Sequence, residues 1–120
     1  MSKPESSAAS VFCEAYLEAL LWSSEPYDGE WDGAQASPEL RQRARIECYA
    51  FLYRAEGWIK HEPTGPGFAR AGHDFALTRN RHGAGFWDGD WPVYGELLTR
   101  IAQSFGELEL YLGDDGLIYC

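Results

Sequence analysis

Basic charge is scarce in this chain. Ten Lys and Arg stand against nineteen Asp and Glu in 120 residues, a formal net charge of −9. A surface that acidic repels phosphates, which argues against nucleic acid as a direct ligand and leaves a basic partner, or plain solubility, as its use. Cysteine is also sparse: Cys13, Cys48 and Cys120 are odd in number and widely spaced. Without a CxxC or a Cys/His pair they form neither a disulfide framework nor a zinc site. Cys13 and Cys48 sit among apolar helical neighbours and read as core thiols in a reducing compartment. Long hydrophobic runs are missing too. Glu14 and Glu18 interrupt the one apolar run near the N-terminus. No signal peptide or membrane span is therefore expected, and the chain reads as cytoplasmic. GxSxG, P-loop and GxGxxG motifs are absent, as are internal repeats. No cofactor is expected.

The chain does have material for a core. Hydrophobic residues make up 45% and aromatic residues 15%, and 120 residues fit a single domain, 1–120, with a polar, flexible segment at 1–7. Val11, Phe12, Ala15, Tyr16, Ala19 and Leu20 repeat at helical spacing and predict a helix over 8–22. A loop over 23–37 follows. Ser37-Pro38-Glu39 then reads as an N-cap, a first-turn proline and a dipole-favourable acid, opening a second helix over 38–56 that Gly57 would end. The connector 60–70 is rich in Pro and Gly. Over 72–78, Phe75 and Leu77 alternate with Asp74, Ala76 and Thr78. With Asn80, Gly83 and Gly85 as turn residues, this predicts a β-hairpin over 72–87. Val93, Leu97, Leu98, Ile101 and Phe105 predict a third helix over 92–105. Leu108, Leu110 and Leu112 predict a strand that turns at 113–116 and returns over 117–120. The order is ααββαββ. It implies an α+β fold in two layers, a four-stranded antiparallel sheet of two hairpins packed with three helices.

The stretch 71–91, AGHDFALTRNRHGAGFWDGDW, together with LYLGDDGLIY near the end, resembles a group of small phage- and plasmid-borne proteins. Their signature is roughly DFWLTRNGHGAGFWDRG, then a helix, then DLYxGDDGxxY. The resemblance covers 71–119. Ala76 stands where the pattern has Trp, and Arg81 where it has Gly. It implies a mobile-element origin and no particular chemistry. A looser similarity, of size and acidity, is to type I-C anti-CRISPR proteins.

Three sets of residues are candidates for function. Asp28, Glu30, Asp32, Gly33 and Glu39 nearly match a calcium loop, but Pro26 sits where the entering helix should continue and Glu39 is already accounted for by the helix start. His73, Asp74, Arg79, His82 and Asp88 could serve a small hydrolase, with or without a metal, if gathered in one pocket. As strand neighbours, His73 and Asp74 should point to opposite faces. Arg79, Arg81 and His82 also read as a basic tip, paired with Asp88 or Asp90 across the hairpin. Finally, aromatics lie among acids: Glu25, Tyr27, Asp28, Glu30, Trp31 and Asp32 in the first loop, and Glu107, Glu109, Tyr111, Asp114 and Asp115 around the last hairpin. Rings supply anchor area and carboxylates steer a basic partner.

The leading expectation is a small acidic phage-derived inhibitor of a host defence system. It would be an anti-CRISPR protein that blocks the DNA-binding surface of a CRISPR effector by carboxylate mimicry of DNA, with a Cas subunit of a type I effector as the kind of partner. It would act as a monomer or weak dimer in the host cytoplasm, without metal, membrane or direct nucleic-acid contact. The alternatives are the hydrolase and an accessory interaction module that dimerises through a sheet edge.

Overall fold

The computed structural model describes residues 4–120, so residues 1–3 of the expected flexible segment lie outside the described residues. Helix α1 spans Pro4–Ser24, α2 Pro38–His61, α3 Gly67–Arg79 and α4 Gly95–Gln103. The strands are short: β1 Gln35–Ala36, β2 Tyr111–Leu112 and β3 Leu117–Tyr119. The fold is thus mostly helical, with four helices and one small mixed sheet ordered β1-β3-β2. The four-stranded antiparallel sheet of two hairpins does not form; of the expected first hairpin, 72–79 lies in helix α3 and 80–87 is turn and bend.

Helix α2 begins as its sequence dictates. The Leu40 N–H donates to Ser37 Oγ at 3.0 Å, Pro38 occupies the first position, and Glu39 meets the positive end of the dipole. It does not stop at Gly57 but runs to His61. Glycine inside a helix costs about 1 kcal/mol relative to alanine. Burial of Ile59 and packing of Trp58 on Tyr94, with ring centroids 5.2 Å apart, offset that cost.

Helix α3 shows why alternation misled. Eight of its residues, Ala71, Gly72 and Asp74 to Arg79, are buried, because α1, α2 and α4 all pack against it. A helix covered on several sides has no wet stripe to reveal its 3.6-residue period. Gly72, which looked like a strand opening, marks a helix crossing. A Cβ there would lie 2.1 Å from the Phe12 carbonyl oxygen, so α1 and α3 can touch backbone to backbone only with glycine.

The core is a run of stacked rings: Phe51 on Phe75 at 4.2 Å, Tyr16 on Phe75 at 4.7 Å, and Phe12 on Phe51 at 5.6 Å. Phe86 joins Phe51 at 5.9 Å and meets Trp91 edge-on at 5.4 Å. After α3 the chain descends through turns, with Arg81 at φ 53°. Its return is pinned by side chains. The Phe86 N–H donates to Thr78 Oγ1 at 3.1 Å. The buried Glu62 carboxylate accepts from the Val93 and Tyr94 N–H groups at 3.1 and 2.8 Å. Those donors open α4, so Glu62, at the end of α2, caps the next helix but one.

The sheet is held as much by side chains as by its ladder. Gln35 pairs with Leu117 and Ala36 with Ile118 in parallel, while Tyr111 pairs with Tyr119 and Leu112 with Ile118 in antiparallel register. Leu108, expected in the strand, is instead clasped by Asn80. The Leu108 N–H donates to Asn80 Oδ1 at 2.7 Å, and Asn80 Nδ2 donates to the Leu108 carbonyl at 3.2 Å. Among the described residues no helix is long and apolar enough to cross a membrane.

Candidate partner-binding surface

The first acidic loop is a chain of tight turns. Glu30 N–H donates to Tyr27 O, Asp32 N–H to Gly29 O and Ala34 N–H to Trp31 O, at 2.9–3.2 Å. Glu25 reaches back to accept the Trp31 N–H at 2.8 Å. Trp31 is only 8% exposed, so its ring anchors the loop to the core and is not a surface contact. Tyr27, at 75% exposure, is the ring this loop offers to solvent. Asp28, Glu30 and Asp32 are exposed.

The second acidic group splits in two. At the turn after β2, Asp115 accepts the Leu117 N–H at 3.0 Å and the Tyr119 hydroxyl at 2.5 Å. The Tyr119 hydroxyl and the Leu117 N–H hold the Asp115 carboxyl below its ordinary value, and the same bond pushes Tyr119 up to about 12. Tyr111 stacks on Tyr119 at 5.8 Å and keeps its outer face exposed. Glu107 and Glu109 lie before β2, at the far end of that strand from Asp114 and Asp115, and Glu107 sits 3.8 Å from Arg81.

The remaining acids lie on the two segments that enter the parallel strands. Since Gln35 aligns with Leu117, the loop entering β1 and the turn entering β3 share one end of the sheet. Asp28, Glu30 and Asp32 thus lie on the loop that leads into β1 at the end where the turn carrying Asp114 and Asp115 leads into β3. Among the described residues none of these five carboxylates lies in an ion pair, whereas six other acids do. Their charge is left uncompensated. No three His, Cys, Asp or Glu side chains among the described residues are arranged to hold a metal ion, and Glu39 stays in the first turn of α2.

The enzyme set disperses. His73 and Asp74, expected on opposite faces of a strand, meet on helix α3 with Nδ1 and Oδ1 3.4 Å apart. Asp74 is 2% exposed and accepts the Trp91 indole N–H at 2.8 Å; burial pushes its carboxyl above the ordinary value, against the pull of Trp91, His73 and Arg70. His73 borders an open cleft of about 680 Å³ between α1 and α3, edged by Glu18, Trp22, Pro66 and Arg70 and floored by alanines. No Ser, Cys or Thr lines it. His82 lies beyond Trp22, whose ring is 6.2 Å from His73 and 5.6 Å from His82. Asp88 closes a turn by accepting the Gly85 N–H at 3.2 Å.

Arg79 is not part of a basic tip. It is 1% exposed. Its guanidinium donates to Gly106 O at 2.9 Å, Phe105 O at 3.1 Å, Tyr16 Oη at 3.0 Å and the Glu47 carboxylate. Two of these are carbonyls of the turn just after α4, which Arg79 satisfies with charge-assisted bonds. The pairings across the supposed hairpin are also different: Arg81 faces Glu107, and Arg70 faces Asp90 at 3.4 Å. Sequence reasoning missed Glu47, Glu62 and Trp22. Glu47 and Glu62 look like ordinary surface acids in the sequence, and nothing there announces that each binds a partner more than thirty residues away.

No family model, curated protein or solved structure matches the chain.

Proposed function

We propose that the protein is an acidic inhibitory module that occupies a basic, nucleic-acid-binding surface of another protein. Its carboxylates take the place of backbone phosphates. The observation that carries this reading is a set of five exposed carboxylates outside any ion pair among the described residues, Asp28, Glu30, Asp32, Asp114 and Asp115, on the two segments that enter the parallel strands β1 and β3. Tyr27 and Tyr111 supply the exposed rings, and Glu25 and Trp31 shape the loop from within. Glu107 and Glu109, at the far end, contribute to the general field. The resemblance of 71–119 to phage- and plasmid-borne proteins makes a host defence complex the class of target, with the DNA-holding Lys/Arg surface of a CRISPR effector as the specific case, met in the host cytoplasm.

Capture of host DNA-binding complexes on the immobilised protein, followed by displacement with duplex DNA, tests this. Competition supports the reading. A captured complex that holds this protein and DNA simultaneously contradicts it.

One observation favours a second reading. Strand β2 is an edge of the sheet, and both its residues, Tyr111 and Leu112, are exposed, at 56% and 41%. An unpaired edge can add a strand from a second copy. Sedimentation that shows a dimer lost on Leu112→Pro would support that reading.

A further inference from the structure

The cleft between α1 and α3 follows from how the two helices cross. They touch backbone to backbone at Gly72, where only a glycine clears the Phe12 carbonyl. Beside that crossing the residues bordering the gap are small: Ala15 and Ala19 on α1, Ala69 on α3. Alanines cannot fill the wedge between two crossing helices, so an open cleft of about 680 Å³ remains. Helix α1 adds Glu18 and Trp22 to its rim, one turn apart, and α3 adds Arg70. Trp22 is 61% exposed, although its ring leans on His73 and His82 at 6.2 and 5.6 Å between centroids. An indole steadied by neighbouring rings and still open to water presents a fixed π-surface. The charges around it are not balanced. Arg70 is answered by Asp90 at 3.4 Å and by Asp74 at 3.9 Å. Glu18 enters no ion pair among the described residues. The last turn of α1, which holds Trp22, carries no basic residue to offset the negative end of the helix dipole. An apolar floor, an indole and an uncompensated negative charge together fit a flat organic cation on an aliphatic stem.

We propose that the α1–α3 cleft seats an arginine side chain presented by a basic protein partner. The stem lies over the alanines, the guanidinium stacks on the Trp22 indole, and its N–H groups donate to the Glu18 carboxylate. A lysine ammonium is a point charge without a plane, so it matches the indole and the carboxylate less well. The acidic loop that carries Asp28, Glu30 and Asp32 starts where α1 ends, two residues after Trp22. The anchor is therefore continuous in the chain with the carboxylates that would steer such a partner. Where the arginine comes from rests on the reading of the protein as an inhibitor of a basic surface; the preference of the cleft for arginine does not.

The test titrates the full, isotope-labelled chain with a blocked peptide, acetyl-Gly-Arg-Gly-amide, and with the same peptide carrying citrulline or lysine in place of arginine. Nuclear magnetic resonance follows the Trp22 indole N–H, assigned from its loss in Trp22→Phe. The arginine peptide should shift that signal and the amides of Ala15, Ala19 and Ala69 to saturation. Citrulline, which keeps the shape without the charge, should bind about tenfold more weakly, and lysine should also bind more weakly than arginine. Glu18→Gln and Trp22→Ala, both at exposed positions, should weaken the arginine peptide similarly. No shift at the cleft up to the solubility limit of the peptide would overturn the proposal. So would equal binding of the citrulline or lysine peptide, or tighter binding of free arginine than of the blocked peptide. Capture of DNA-binding complexes separates the two readings. Capture undiminished in Glu18→Gln and Trp22→Ala overturns the anchor while phosphate mimicry stands. Arginine-selective binding at the cleft, with no DNA-displaceable complex captured, supports the cleft and counts against mimicry.

Discussion

Arg79→Ala should be among the most damaging single substitutions in the chain. The guanidinium is 1% exposed and joins α3 to three other elements: Tyr16 on α1, Glu47 on α2, and the Phe105 and Gly106 carbonyls after α4. It also lies 5.9 Å from the centroids of the Phe75 and Phe105 rings. Truncation leaves the Glu47 carboxylate, 14% exposed, with only the exposed Arg43 as an ionic partner, at 2.9 Å. Breaking a buried ion pair typically costs about 3–5 kcal/mol. The two carbonyls and the Tyr16 hydroxyl lose a donor as well, at roughly 1–3 kcal/mol each if left dry. These losses overlap, so a destabilisation of about 4–6 kcal/mol is expected, a large share of the roughly 5–15 kcal/mol that holds a typical domain. Arg79→Lys should recover only a small part, because an ammonium cannot reach four acceptors in a planar fork. Glu47→Gln should cost less than either, since an amide oxygen still accepts. Urea unfolding followed by tryptophan fluorescence and circular dichroism measures all three. If Arg79→Ala loses less than about 1 kcal/mol, the central position given to this residue is wrong.

Gly72→Ala should destabilise by about 1–3 kcal/mol or more, because the added methyl meets the Phe12 carbonyl and α1 must move away; a melting curve unchanged from wild type would contradict the close crossing. Phe75→Ala should cost about 3–5 kcal/mol, whereas Trp87→Ala, at a ring 47% exposed, should stay within about 1 kcal/mol in the same denaturation assay. Asp74 gives a pH signature. Its carboxyl is raised in the folded state from an ordinary value of 3.8, so the folded protein holds that proton more tightly than the unfolded chain. Its contribution is therefore most favourable below that value and declines as pH rises through the raised one. Asp74→Asn keeps an acceptor for Trp91 and should remove this decline, seen as a smaller fall in the melting temperature of the variant than of wild type over that window.

The parts of the fold that could be read in the sequence are those whose signals are local. Ser37-Pro38-Glu39 fixed the start of α2 because capping is a contact between near neighbours. Helices with one dry face, such as α4 with Leu98, Ile101 and Ala102 buried, also declared themselves. Helix α3 did not. Its polar residues, Asp74, Thr78 and Arg79, turn inward to Trp91, Phe86 and Glu47, all outside the helix itself, so polarity there reports tertiary pairing and not exposure. Turn-like glycines added to the misreading, since Gly72 serves a helix crossing. Of the surface, the acidic segments were visible from composition. That these segments enter neighbouring strands was not, because it depends on a two-residue parallel pairing that no turn or periodicity encodes. Trp31 was misjudged for the same reason: a ring between acids looks exposed until Glu25 folds the loop over it.

The account rests most directly on the acids at the β1–β3 end of the sheet. The measurement that tests it is the affinity of wild type and of a charge-reversed variant, Asp28→Lys, Glu30→Lys, Asp114→Lys and Asp115→Lys together, for the captured DNA-binding complex across salt concentrations. Wild-type association should slow as salt rises, because screening within ~8–10 Å removes long-range steering. Each single reversal should have a small effect, while the fourfold variant should lose binding and no longer compete with DNA. Unchanged affinity of the fourfold variant, together with simultaneous occupancy by DNA, would contradict phosphate mimicry.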